Sequence, residues 1–418
     1  PMDFAGTRDG NSVWTLTPEA PFNAGEVVNY YFMGVDGSSA TIWDSNQGRN
    51  YTFVAPEPPL AFGLPATIAA NFPFSSLDAC AAGGIGFLGL QGDQTAYGVR
   101  PNPSSPWSLS TLFNGVSNRF GDVAVAANSN VTLLVSSVDD RLVVQRLSVS
   151  TGGSSLINTV TIPVDLRSYT YIAEIAVVAW GQRNFSIALS AGSSGFHPLG
   201  YTLRSTDDGQ TWSTPTNSFG AEYGCGPVLL GTTAQGPVLV HKDTHHRADY
   251  LKVKKSADGL TWSDTALTNA LGGGSVGRPA LLATRDQIIV TLDPDNSSVT
   301  YVWREINGIF VKSTLNRGFS PYGSADLCEL SDGRVGYFRQ NTNGAVTFAL
   351  SADRGATWTD GGLAPLPAPG YLRFLKAFSV GQTVNLLWHQ WVTNDVTLGH
   401  VQTARIAGPK LQWLGGTY

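Results

Sequence analysis

The segment His241-Lys242-Asp243-Thr244-His245-His246-Arg247 packs three imidazoles, two cations and a carboxylate into seven residues. Imidazoles carry protons near neutral pH, and a carboxylate beside them can accept or hold one. Two further groupings could share that chemistry. Glu222-Tyr223 sets a carboxyl beside a phenol, and Arg119, Arg278 and Arg373 supply fixed cations whose planar forks suit a carboxylate. Cleaving a glycosidic bond needs two carboxyls, one protonated as acid and one ionised as base or nucleophile. Asp122, Glu174, Glu222, Asp243 and Asp326 are the candidates. Elimination across a uronic acid instead needs a cation at the carboxylate and a His or Tyr to remove the α-proton. The segment from His241 to Tyr250, with Tyr223 and Arg278, holds those parts. No metal ligands are assigned, because no helical H-x-x-x-H or Cys-rich pattern occurs. No cofactor is expected, although a structural or catalytic divalent cation stays open.

A chain that repeats a unit around an axis would bring residues this far apart together. Ser205-Thr-Asp207-Asp-Gly209-Gln-Thr-Trp212 and Ser351-Ala-Asp353-Arg-Gly355-Ala-Thr-Trp358 fit one pattern, S-x-D-x-G-x-T-W. Ser256-Ala-Asp258-Gly259-Leu-Thr-Trp262 fits it with one residue deleted. The starts lie 51 and then 95 residues apart, one period and two. The skipped copy falls near Glu305-Ile-Asn307-Gly308. Ser and Asp suit a turn whose amides their side chains can bind, Gly supplies a positive φ, and Trp packs beneath.

These segments are Asp-boxes, and on them the chain resembles the sialidase-type, BNR-repeat β-propellers. The resemblance implies boxes that join the third and fourth strands of a blade, on the face away from any active site. It also implies sialidase-like chemistry, in which a Tyr such as Tyr223 is activated by a Glu such as Glu222. Arg119, Arg278 and Arg373 would then clamp a substrate carboxylate. The chain departs from the pattern in lacking Arg-Ile-Pro near the propeller's start.

Apolar runs suited to innermost strands begin near Asp78, Asp122, Glu174, Glu222, Gly277, Ala325 and Leu375, 44 to 55 residues apart. An all-β, seven-bladed propeller over 56–418 is expected, with six blades as the fallback, closed by strand-like residues after Pro59. Cys80, Cys225 and Cys328 fall at matching places and read as core thiols. Loops between blades and those joining second to third strands share one face. By this register they bring Arg119, Glu174, His197, His245, Arg339, Arg373, Trp388 and His389 to a funnel as substrate contacts. Glu222, Tyr223, His241, Asp243 and Arg278 stand there as catalytic candidates. Only the box repeats while the funnel residues differ from blade to blade, which favours one asymmetric enzyme site over a non-catalytic lectin.

Residues 1–55 lie outside the period. Gly25–Phe32 alternates like a strand, and Trp43-Asp44-Ser45-Asn46-Gln47-Gly48-Arg49-Asn50-Tyr51 resembles the closing half of β-sandwich starch-binding modules. A small carbohydrate-binding segment is therefore expected, followed by a stiff linker at Ala55–Pro59. Composition agrees with an exported all-β protein: 47 Gly, 23 Pro, 11 Trp and only 14% charged residues in 418. Pro1-Met2 reads as a cloning remnant that stands in place of the native N-terminus. A net charge of −5 without a basic run excludes a nucleic-acid backbone as partner. No run approaches the roughly 20 apolar residues of a membrane span. A secreted monomer whose partner is carbohydrate is the expectation.

Overall fold

Short alternating runs bounded by Gly, Asp and Asn make antiparallel sheets throughout the computed structural model, with no helix among its described residues. It describes residues 60–403 except 71–75, 82–84, 92–93, 101–106, 114–121, 139, 149–154, 165–170, 194–195, 220–224, 246–247, 271–275, 295–298, 317–323, 342–344, 365–371, 381–382, 391–392 and 394. Outside 60–403 it describes Arg49 and the strands named below.

Seven sheets follow one another along the chain, each ordered from its first strand to its fourth. Their first strands are Ser76–Ala81, Val123–Ala127, Tyr171–Trp180, Cys225–Thr233, Val276–Thr284, Ala325–Glu329 and Leu372–Val380. These strands border one central cavity, so the architecture is a seven-bladed β-propeller. Blade 7 takes its outer strand from the other end of the chain. Leu60–Phe62 pairs with Val396–Thr403, and Ala66–Ala69 pairs with the same strand, as the strand-like residues after Pro59 suggested. Closure in this manner covers Val396–Thr403 and leaves only the short strands Leu60–Phe62 and Ala66–Ala69 at the edge of blade 7.

The core lies between blades. Phe185, Ile187, Leu133 and Val144 share one apolar cluster spanning blades 2 and 3, and Leu386, Trp388, Phe338 and Leu372 share another across blades 6 and 7. Cys328 is buried and Cys80 half-buried in their inner strands, both as free thiols. Burial raises both thiol pKa values, Cys328 to about 12, so neither is a ready nucleophile.

The three boxes join third to fourth strands in blades 3, 4 and 6. In each, the Ser hydroxyl accepts the Gly N–H, at 2.8, 2.8 and 2.6 Å for Gly209, Gly259 and Gly355. The box Asp accepts the Thr N–H and the Thr hydroxyl, as Asp207 does from Thr211 at 2.9 and 2.7 Å. Gly209 has φ +77° and would drive a Cβ to within 2.9 Å of Leu133 in blade 2, so this turn needs glycine twice over. Each box also docks on the preceding blade. Arg146 donates to the Asp208 carbonyl at 2.7 Å, Arg204 to the Asp258 carbonyl at 2.7 Å, and Gln287 to the Arg354 carbonyl at 2.8 Å. In blade 5 the expected decayed copy is a plain two-residue turn, with Asn307 and Gly308 at φ 51° and 83°.

Backbone N–H groups of Thr261 and Leu260 foremost draw Asp258 down to about 2. Asp207 and Asp353 are also lowered: burial opposes ionisation, but hydrogen bonds led by those from Thr211 and Thr357 outweigh it. Depressed carboxylates stabilise the fold fully above the unfolded value of 3.8 and lose that contribution as pH falls towards 2. The gap in denaturant midpoint between wild type and Asp258→Asn should therefore narrow from pH 5 to pH 2.5. An unchanged gap would show that the box carboxylate is not what titrates.

The remaining described strands lie at the two ends of the chain. Asp3–Arg8 pairs with Asn11–Leu16, Val27–Tyr30 with Tyr51–Val54, and Phe32–Val35 with Thr41–Asp44. Leu411–Gly415 pairs with Asn11–Leu16 and not with a blade, so the expected 56–418 span takes in one strand that hydrogen-bonds outside the propeller. The starch-binding reading of Trp43 and its neighbours concerns side chains outside the described residues, as does the linker Ala55–Pro59.

Candidate functional site

Inner strands from all seven blades enclose a cavity of about 250 Å³. The first halves of these strands line it, away from the box turns. Blades 1, 2, 3 and 6 contribute Asp78, Asp122, Glu174 and Asp326, and blade 7 contributes Lys376. Blades 4 and 5 present Pro227, Val228, Pro279 and Ala280, so one side is acidic and the other apolar.

The four acids are already engaged. Asp78 accepts the Val125 N–H at 3.0 Å, Asp122 that of Ile175 at 2.8 Å, Glu174 that of Val228 at 2.9 Å, and Asp326 that of Ala377 at 2.9 Å. Every one of these bonds runs from an acid on one inner strand to the backbone of the next blade. Asp122 also accepts the Ser76 hydroxyl. Lys376 joins blade 7 to blade 1 by pairing with Asp78 at 3.1 Å. Asp122, Glu174 and Asp326, expected as candidate glycosidase carboxyls, are therefore inter-blade brackets. Their repetition at the blade period was the signal for this, since what repeats serves the scaffold.

Asp78 foremost raises the Lys376 pKa, against the cost of burial, and Asp326 adds to the effect. Burial pushes Asp326 up to about 6, although Lys376 and the N–H groups of Ala377 and Leu327 pull the other way. A raised carboxyl contributes stability below its unfolded value that is lost as pH rises through 6, the reverse of the boxes. Lys376→Met would leave these acids facing one another. Breaking a buried pair costs about 3–5 kcal/mol, and the Lys376 side chain is 33% exposed to the cavity. A loss of about 2 kcal/mol is the discounted expectation. Restoring stability by combining Lys376→Met with Asp78→Asn would confirm the pairing. A single variant as stable as wild type would refute it.

The inner strands of blades 3, 4, 5 and 7 each carry one extra residue where they meet the cavity. The register slips between Ile172 and Glu174, Cys225 and Val228, Val276 and Pro279, and Leu372 and Phe374. Such bulges re-aim the chain and recur beside active sites. Those of blades 5 and 7 contain Arg278 and Arg373. Gly226-Pro227 and Arg278-Pro279 were the available signal, since proline within a strand marks a bulge.

Several expected funnel residues sit in the walls. Trp388 is 1% exposed and belongs to the core between blades 6 and 7, so it is no sugar platform. His389 is buried with its ring 6.2 Å from that of Phe374. His241 is buried 4.8 Å from the Phe219 ring, which removes it from the catalytic candidates. Arg339 is 3% exposed and points to Asp293 and Thr300. One cause accounts for all four. Second strands run on through positions expected to be loop, to His245, Gln340 and Gln390, and those of blades 6 and 7 are covered on both faces, so side chains of either parity are buried.

The other expected contacts fall on or next to described strands in the sequence. Glu222 and Tyr223 directly precede the blade 4 inner strand and, with Arg119, are outside the described residues. Asp243 is paired with Cys225 across blade 4, one step from that segment. His197, His245, Arg278 and Arg373 have strand backbones, and their side chains are outside the described residues. Among the described residues no group of three or more His, Cys, Asp or Glu could hold a metal ion.

No family model and no curated protein matches the chain. Among solved structures, Trypanosoma rangeli sialidase in complex with sialic acid aligns over 93% of this chain at 11% identity and a TM-score of 0.45. The same sialidase alone aligns over 93% at 10% identity and 0.42. In both cases the match covers 59% of the sialidase chain. A triple arginine-to-alanine mutant of AofleA from Arthrobotrys oligospora aligns over 86% of this chain and 93% of its own, at 9% identity and 0.45. Likeness at this level concerns the fold alone: the chain is an all-β, seven-bladed propeller, and its seven sheets establish that by themselves.

Proposed function

We propose that the protein is a secreted carbohydrate-active enzyme that cleaves glycosidic bonds at the mouth of the axial cavity. The observation that carries this reading is the asymmetry of the cavity. Acids line one side, and Pro227, Val228, Pro279 and Ala280 leave the other side apolar, where the repeated acid of the other blades is missing. Sugars present both surfaces, hydroxyl edges and apolar C–H faces, and a site for them pairs polar groups with apolar walls. Because the lining acids are held as brackets, the reactive groups belong to the layer above. We assign the reactive roles to Glu222, Tyr223, Asp243 and Arg278, which in the sequence precede or belong to the strands Cys225–Thr233, Gly236–His245 and Val276–Thr284 of blades 4 and 5. Glu222 or Asp243 supplies the acid or base, Tyr223 the nucleophile and Arg278 the substrate clamp. Incubation with a panel of polysaccharides and glycans, followed by reducing-end release, tests the reading. Release from one class, absent from heat-unfolded protein, supports it, and binding without any product makes the protein a lectin.

A further inference from the structure

The second strand of blade 5, Gln287–Pro294, lies opposite the bulge that contains Arg278. Pro279 pairs with Leu292 and Val276 with Pro294, so Asp293 is the residue facing Gly277-Arg278 across the ladder. Its carboxylate turns the other way, into the seam with blade 6. There the Tyr337 hydroxyl donates to both of its oxygens at 3.0 Å, and the Thr300 hydroxyl donates to Oδ1. Arg339 approaches Asp293 to 3.7 Å and donates to Thr300 at 3.3 Å. Tyr337, Arg339 and Thr300 are each at most 3% exposed. Burial first, and then the Asp293 charge, raise the Tyr337 pKa well above 10, so the phenol stays a donor at any working pH.

Burying an ion pair brings little net stability over apolar residues of the same volume, and its best-attested use is to fix one arrangement. The surrounding seam is apolar, with Ile289, Val302, Leu327 and Val335 around Tyr337. We infer that Asp293, Tyr337, Arg339 and Thr300 form a positioning unit, which clamps blade 5 against blade 6 and thereby fixes the backbone bulge at Gly277-Arg278 beside the cavity-lining Pro279. Its meaning for turnover rests on the reading proposed above, while the clamp itself does not.

Hydrogen exchange tests the clamp without any substrate. Tyr337→Phe deletes one hydroxyl and keeps the ring. Exchange at Val276–Arg278 is expected to quicken about tenfold as the local opening becomes easier. The comparison bulge at Leu372–Phe374 should be unchanged. Asp293→Asn and Arg339→Lys should act in the same place, and either serves if Tyr337→Phe does not fold. Unaltered exchange at Val276–Arg278 in the folded variants overturns the inference, as does a uniform rise in all blades. Turnover separates the two claims. With a substrate from the panel, Tyr337→Phe should lower kcat more than it raises KM, and should add little to the loss in Arg278→Ala. Full additivity of the two losses overturns the positioning role. A wild-type rate in Arg278→Ala overturns the reading of the site and leaves the exchange result to judge the clamp.

Discussion

Glu222→Gln and Arg278→Ala should each lower turnover of the best substrate at least about 100-fold, with no fall in melting temperature. A general acid or base is worth about 10² to 10⁴ in rate. Loss of a cation that orients the substrate falls in a similar range when geometry sets the rate. Neither change should destabilise the fold. The described brackets and boxes that join the blades are made by Asp78, Asp122, Glu174, Asp326, Lys376 and the box turns. His241→Ala behaves in the opposite way. Its ring is buried against Phe219, so the expected loss is in stability, with turnover of the folded protein kept. Full activity in both Glu222→Gln and Arg278→Ala would move the site elsewhere on the cavity's rim.

Trp212→Ala has the second large effect, on stability alone. Trp212 is half-buried against the cluster shared by blades 2 and 3, and its indole N–H donates to the Gly209 carbonyl at 3.1 Å. Truncating a core Trp or Phe to Ala costs about 3–5 kcal/mol. Partial exposure places Trp212 near the lower end, at about 3 kcal/mol, with the hydrogen bond included in that figure. Denaturant unfolding measures the loss, and turnover per folded molecule should not change. Lost turnover at normal stability would put the boxes on the functional face.

The propeller was legible in the sequence because its signals are local and repeated. A box is a self-contained turn of eight residues whose chemistry is written in Ser, Asp, Gly and Trp, and the blade period follows from counting. The site was less legible because strand ends decide it. Trp388, His389, His241 and Arg339 all lie where a strand was expected to have turned, and two or three more residues of ladder bury them. The bracket role of Asp122, Glu174 and Asp326 was missed for a different reason. A carboxylate at a strand start looks the same in sequence whether it faces a ligand or the next blade's N–H. Their recurrence from blade to blade tells the two apart, as it does for the boxes. The bulge at Arg373 was hidden for want of the partner strand, since an extra residue shows only against the register opposite, whereas the bulge at Arg278 carries Pro279 as its signal.

The central claim, hydrolysis at the axial funnel, is tested most directly by the products formed from the best substrate. Wild-type protein and Arg278→Ala should be run side by side, with reducing ends and the absorbance of unsaturated uronates followed in the same sample. The account predicts reducing ends without new absorbance from the wild type, and at least about 100-fold fewer from Arg278→Ala. Reducing ends that rise together with absorbance would mean elimination in place of hydrolysis, and equal rates in the two proteins would mean that the funnel is not the site.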